Sequence, residues 1–345
     1  MTGYDASVLN SPDLRLLLIV PNWLGDGIMA MPAVQVLKQQ LHPNAQILIA
    51  ARPGQVGLWE MQTAVHQVIP LPAGTKELFK SAKKLRALKC THAIVLPHSF
   101  RSALLPTLAG IPHRKGTTHQ CGRPLLIHHG VNLSEMDAKH QQWEIAKLLL
   151  PDPLPEHLPP PQINPPAEAL QRATDLLANL PQPILGCIPG AARGPSKQWP
   201  GDRFQASAQT WIQATGGSVC WLGTPADEAL CESLNAPFGS QGCSLAGKTN
   251  LHVFTALLQQ LSLALVNDSG GMHLAAAVGT PLIAIFGTTD PQKTGPLSST
   301  ATVLQHSDTR NRSIDRHSEE AASALARVSI DEVREQILAN LPATP

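Results

Sequence analysis

The 345-residue sequence lacks a surplus of either charge: 26 Lys and Arg face 25 Asp and Glu, for a formal net charge of +1. A broad nucleic-acid surface needs many cations to neutralise phosphates, so this balance excludes one. Any anionic partner has to be met by a local cluster. The chain also lacks a C-x-x-C pair. Its six cysteines (Cys90, Cys121, Cys187, Cys220, Cys231, Cys243) are scattered and read as reduced cytosolic thiols. No charged and apolar leader opens the chain, and Gly, Pro or a charge interrupts every apolar run well short of the ~20 residues that cross a bilayer. These absences predict a soluble cytoplasmic protein whose contact with a membrane, if any, is peripheral.

Several signatures of chemistry are missing too. The turn after the first predicted strand holds no G-x-G-x-x-G, which weighs against a nicotinamide-dependent dehydrogenase. The 14 histidines include no H-E-x-x-H, so no metal is assigned.

What is present is a 43% apolar chain long enough for roughly two domains. Residues 1–13 are polar and aperiodic and predict a flexible tail. From Leu14, the short apolar runs LRLLLIVP, AQILIAA, AVHQVIPLP and HAIVLP read as strands. The stretches IMAMPAVQVLKQQL and KELFKSAKKLRALK between them have helical spacing. This alternation predicts a parallel sheet with helices on both faces over residues 14–150. Proline fixes φ and lacks an N–H, so PDPLPEHLPPPQINPP (151–166) reads as a semi-rigid linker. A second doubly wound domain is expected over 167–328, with strands PILGCIP, SVCWLG, LALVN and PLIAIFG and a helix from Pro225 to Leu234. A C-terminal helix and tail follow over 329–345, opened by Ser329 as a cap three residues before Glu332.

Four stretches can carry chemistry. In VNDSGGMHLAAAVGTPLIAIFG a buried strand ends in Asn267, Asp268, Ser269, Gly270 and Gly271 before a helix, an arrangement that aims backbone N–H groups at a diphosphate. Asp268 suits sugar or ribose hydroxyls, or it caps the helix, and His273 lies one turn in. In IPGAARGPSKQWPGDRF, Lys197 offers a point cation to a departing diphosphate, or it is a solvated surface lysine. Because Gln198 follows it, this loop is not that of a nucleotide triphosphatase. In PNWLGDGIMAMPAV, Gly25 and Gly27 flank Asp26 at a strand's carboxyl end, where it serves as a general base or as a helix N-cap. Finally, LPHSFRSALLPTLAGIPHRKG concentrates His98, Ser99, Arg101, His113, Arg114 and Lys115 around two turns. They suit an anionic acceptor or form a solvated loop.

Taken in order, PNWLGDGIMAMPA, LPHSFRSAL, AGIPHRKG, PGAARGPSKQWP, SLAGKTNL and VNDSGGMHLAAA resemble the lipopolysaccharide heptosyltransferases of glycosyltransferase family 9, most specifically their type II members, over nearly the whole chain. The resemblance implies a GT-B architecture, two Rossmann-like doubly wound domains facing a central cleft. It implies inverting transfer of L-glycero-D-manno-heptose from ADP-heptose to the first heptose of the lipopolysaccharide inner core. The acceptor is then Kdo2-lipid A bearing one heptose, met at the cytoplasmic face of the inner membrane. No cofactor is obligatory, and magnesium assists at most. The resemblance also implies roles for single residues. Asp26 and Lys197 are catalytic, while Asp227 or Glu228, Thr249, Asp268, Ser269, Gly270 and His273 bind the donor. Asn22, Ser99, Arg101, His113 and Arg114 bind the acceptor.

Two stretches depart from the family. Ala191, Ala192 and Arg193 follow Pro189-Gly190 where relatives carry an acidic or hydroxyl residue, and NRSIDRHSEEAAS has no counterpart. Rival readings are heptosyltransferase I or another ADP-sugar transferase of the same family, and a non-catalytic nucleotide-sugar-binding module.

Overall fold

A computed structural model describes residues 6–136, 139–192, 194–307, 315 and 318–342. The chain divides into two compact units, Met1–Asn164 and Pro165–Pro345. In the first, β1 (Arg15–Ile19), β2 (Gln46–Ala51), β3 (Gln67–Pro70), β4 (His92–Val95), β5 (His113–Gly116) and β6 (His129–Gly130) form a sheet in the order β3-β2-β1-β4-β5-β6. In the second, β7 (Ile184–Ile188), β8 (Ser218–Trp221), β9 (Gly242–Ser244), β10 (Leu263–Asn267), β11 (Leu282–Phe286) and β12 (Ala301–Gln305) are ordered β12-β11-β10-β7-β8-β9. Every pairing in both sheets is parallel.

Parallel strands need crossovers, and the helices that supply them cover the sheet, so central strands read as unbroken apolar runs. All five residues of β7, β10 and β11 are buried, as are the last four of β1. At about 1.5–3 kcal/mol per fully buried Leu or Ile side chain, these strands contribute much of the burial that holds each unit together. Leu17, Leu48, Ala93 and Val95 anchor the first core, and Leu185, Val219, Leu265 and Ile283 the second.

In both sheets the strand order reverses direction once, between β1 and β4 and between β7 and β10. The loops leaving the carboxyl ends of two such neighbours run to opposite sides and leave a crevice at the switch point.

Several expectations are corrected. The N-terminal tail is packed from Leu9 onward: Ala6–Leu9 is a helical turn, Leu9 and Leu14 are buried, and the His42 N–H donates to the Leu9 carbonyl at 2.9 Å. Residues 1–5 of that tail lie outside the described residues. Most of the proline-rich segment is bound into the first unit, since Ile163 is buried and Gln35 donates to the Pro160 carbonyl at 3.1 Å and accepts from the Gln162 N–H at 2.9 Å. The passage between units falls at Asn164–Pro165. The helix expected over Pro225–Leu234 is a 3-10 turn, Pro225–Asp227, followed by an α-helix, Glu228–Asn235. In NRSIDRHSEEAAS, residues 311–314, 316 and 317 lie outside the described residues, and Ser318 caps a helix, Glu319–Ala326. The Ser329 cap forms as expected, in a reciprocal box with Glu332.

Candidate active site

Asp26 stands at the first switch point. After β1 the chain turns through Pro21, Asn22 and Trp23 into the helix Leu24–Gln40, whose N-cap is Trp23 and whose third residue is Asp26. The helix-cap alternative for Asp26 is therefore overturned, although a carboxylate in a first turn still gains from the helix dipole. Gln141 Nε2 donates to Asp26 Oδ1 at 3.2 Å. The two residues share a hollow of about 220 Å³ with Asn22, Trp23, His98 and Glu144. Trp23 is 51% exposed, unusual for an indole, and offers an apolar face beside the carboxylate.

Next to this hollow, Asn22, Ser99 and Arg101 line a second one at the carboxyl edge of the same sheet, together with Arg52. Ser99 caps the helix Phe100–Leu108 by accepting from the Ser102 N–H at 3.3 Å, so its hydroxyl is committed locally. Arg123, missed in the sequence, is fully buried. It donates to the carbonyls of Thr117 (2.7 Å), Pro97 (3.2 Å) and Ser99 (2.6 Å), pinning the loop that presents Arg101. Burial pushes its pKa below the ordinary arginine value.

His113 and Arg114 do not belong to this group. What reads as a charged turn is strand β5, and His113 opens it at the amino end, its ring stacked at 4.5 Å on His92, which opens β4. Open α/β sheets bind ligands at the opposite edge. Arg114 is buried. Its guanidinium donates to the carbonyls of Leu126 (2.6 Å) and Ile111 and contacts His128 at 2.7 Å, which makes it a structural tie. Lys115 is buried too and donates to the Leu150 carbonyl at 3.4 Å. Desolvation lowers its pKa to about 8, against a raising influence from Asp152.

In the second unit the switch point is crossed by Asn267, the last residue of β10 and fully buried. Its Nδ2 donates to the Pro189 carbonyl at 2.7 Å and its Oδ1 accepts from the Trp199 N–H at 3.0 Å. Trp199 is sunk in the core and donates its indole N–H to the Val328 carbonyl at 3.0 Å. These bonds fix both ends of the loop that carries Lys197. Lys197 Nζ is bonded to Asp268 Oδ2, the two side chains being 12% and 8% exposed. The lysine is thus not solvated. Nor does Asp268 cap the following helix, Gly270–Ala277, whose N-cap is Ser269. The hydroxyls of Ser269, Ser196 and Thr288 are buried without a hydrogen-bond partner among the described residues, and His273 is buried one turn into the helix.

The acidic pair after β8 divides by position. Asp227 Oδ2 accepts from the Thr224 N–H at 2.8 Å and hydroxyl at 2.7 Å, and its carboxyl lies over Gly190, where a Cβ would come within 2.1 Å of Oδ1. A side chain at position 190 would displace the Asp227 carboxyl. Glu228 is exposed on the next helix. Thr249, partly buried, follows Gly247 in the loop after β9. The stretch Gly242–Thr249 spells G-x-x-x-x-G-K-T, the sequence pattern of a phosphate loop. It does not form a phosphate loop, because its first three residues are strand β9 and Lys248 is bound to Glu232 at 2.6 Å. Among the described residues no group of three or more His, Cys, Asp or Glu side chains is placed to hold a metal ion, and no helix is long and apolar enough to cross a membrane. Arg193 lies outside the described residues.

Comparison with known proteins gives consistent findings. The family model for glycosyltransferase family 9 (heptosyltransferase) matches residues 78–325. Lipooligosaccharide heptosyltransferase 2 of Haemophilus influenzae is 34% identical over 313 residues, 85% of this chain and 88% of the relative. Lipopolysaccharide heptosyltransferase 2 of Escherichia coli is 31% identical over 310 residues, with the same coverage of each chain. The solved structure of E. coli ADP-heptose LPS heptosyltransferase II superposes with a TM-score of 0.81 at 27% identity, over 95% of this chain and 98% of that one. The two parallel six-stranded sheets with their helices thus match the GT-B architecture expected from the sequence.

Proposed function

The chain belongs to glycosyltransferase family 9 (heptosyltransferase), and from that premise we propose that it transfers a heptose from ADP-heptose to the first heptose of the lipopolysaccharide inner core. The observation that carries this reading is the placing of the reactive groups. Asp26 stands at the switch point of one sheet and the Lys197–Asp268 pair at that of the other.

The reaction is a single displacement with inversion. Asp26 accepts the proton of the acceptor hydroxyl as that oxygen attacks the anomeric carbon, and Gln141 holds the carboxylate for the task. ADP departs on the opposite face. Lys197 and the N–H groups at the start of the Gly270–Ala277 helix stabilise the charge that gathers on the diphosphate. Asp268, Ser269, Gly270, His273 and Thr249 position the donor. Asp227 serves its ribose better than Glu228 does, because it faces Gly190 at the carboxyl end of β7. Asn22, Ser99 and Arg101 face the acceptor. Lysine and backbone N–H groups supply the positive charge here, so a divalent ion is at most an assistant. The acceptor is membrane-borne Kdo2-lipid A with one heptose, and the enzyme works on it at the cytoplasmic face of the inner membrane.

The test is to incubate the protein with ADP-heptose and core acceptors of graded length and identify products by mass spectrometry. Addition of one heptose to the mono-heptosylated acceptor is expected. Product only from an acceptor without heptose would point to the heptosyltransferase I reaction, and nucleotide binding with no product to a binding module.

A further inference from the structure

We propose that Arg52 and Arg101 form a two-guanidinium clamp for one anionic group of the acceptor, a carboxylate or a phosphate. The assignment of that group to the acceptor rests on the transfer reading above. Arg52 follows β2 directly, and Pro53 after it confines it to extended backbone, φ −62° and ψ 149°. The arginine therefore stands at the carboxyl edge beside the loop that follows β1. Its Nε donates to Asn22 Oδ1 at 3.1 Å, which orients the guanidinium and leaves its two terminal nitrogens for a ligand. Arg101 reaches the same hollow from the helix Phe100–Leu108 and is held by a hydrogen bond from its guanidinium to the Gly74 carbonyl.

Charge decides what the hollow binds. Its walls contain two arginines and no aspartate or glutamate, and among the described residues neither arginine makes an ion pair. Two like charges beside the apolar walls of Ile19, Leu71, Leu78 and Leu105 repel each other more than they would in open water. An anion between them relieves that repulsion and accepts two parallel bonds from each planar fork. The cavity is about 70 Å³, room enough for one carboxylate or phosphate group between the two guanidinium groups. The rest of the acceptor then lies outside it, toward the adjacent hollow that holds Asp26.

The test is isothermal titration of the soluble acceptor glycan into wild-type protein, Arg52→Ala and Arg52→Lys, with ADP titrated in parallel. A companion titration uses acceptor whose sugar carboxylates have been reduced, and another uses dephosphorylated acceptor. We expect Arg52→Ala to weaken acceptor binding at least tenfold, Arg52→Lys to recover part of the loss, and ADP affinity to stay within twofold of wild type. Whichever modified acceptor erases the difference between wild type and Arg52→Ala identifies the anion. Equal acceptor affinity in wild type and Arg52→Ala overturns the clamp, as does a loss that persists with both modified acceptors. Should wild-type protein bind acceptor through Arg52 yet form no product, the clamp stands and the transfer reading falls. If it transfers heptose and Arg52→Ala matches it in acceptor KM, only the clamp falls.

Discussion

The two switch points share a strand order and differ in how firmly their polar groups are tied. In the second unit Asn267 is fully buried with both ends of its amide bonded, and Lys197 and Asp268 are bonded to each other almost out of solvent. In the first unit Asn22 and Ser99 are exposed, and Arg52 and Arg101 each keep guanidinium nitrogens for a ligand. If the second site steadies a leaving diphosphate as proposed, it gains from charges fixed in advance, because reorganising them during the reaction would raise the barrier. In the first unit each arginine is steadied by a single hydrogen bond, Arg52 by Asn22 and Arg101 by the Gly74 carbonyl, a looser tether than the buried bonds of the second.

The sharpest test of this contrast is Asp26→Asn. Removing a general base costs about a hundredfold to ten-thousandfold in rate. ADP affinity should not change, and the melting temperature should move little, because Trp23 holds the cap position. Retention of more than half the wild-type turnover would remove Asp26 from the chemistry.

Lys197→Ala should follow, with kcat lower by roughly a hundredfold to a thousandfold and donor affinity lower as well. It also strands the buried Asp268 carboxylate, so the melting temperature should drop. Lys197→Ala/Asp268→Asn should recover the melting temperature and leave activity low. A single variant with wild-type stability would mean that the pair is not the fixed element described here.

The contrast in tethering can be weighed directly with two asparagines. Asn267→Ala removes two buried hydrogen bonds and leaves the Pro189 carbonyl and Trp199 N–H unsatisfied, a loss of roughly 2–4 kcal/mol in denaturant unfolding. Asn22→Ala, on an exposed loop, should cost under about 0.5 kcal/mol. Similar losses at both positions would erase the distinction between the units.

The smallest effect separates the two ends of the first sheet. Arg101→Ala should raise the acceptor KM about tenfold and leave stability intact, while Arg114→Ala should lower stability and leave that KM unchanged. Steady-state kinetics with thermal melts would read both, and an exchange of the two phenotypes would move the acceptor to the amino edge.

Of the eight strands legible in the sequence, all but the edge strand β3 were so because parallel strands buried on both faces must be apolar, and runs such as LRLLLIV and LIAIF satisfy little else. Strand β5 was not. Its residues HRKG resemble a solvated turn, yet they pair with β4 and β6, and the buried Arg114 and Lys115 side chains find the carbonyls of Leu126 and Leu150, 12 and 35 positions away. The reactive candidates divide the same way. Asp26, Asp268 and Lys197 each sit in a strand–turn–helix stretch whose local pattern marks a carboxyl edge. Arg52 and Arg123 have no local pattern, and their meaning comes from Asn22, Pro97 and Ser99, 24 to 30 residues away in sequence.

By itself, then, the sequence determined two doubly wound sheets and the turns at their switch points, because hydrophobic period and glycine-rich turns act over a few residues. Only the tertiary structure decided which charges face a ligand. A guanidinium or ammonium group is a structural tie or a binding group according to whether distant carbonyls reach it first, and nothing in its own neighbourhood of sequence records that outcome.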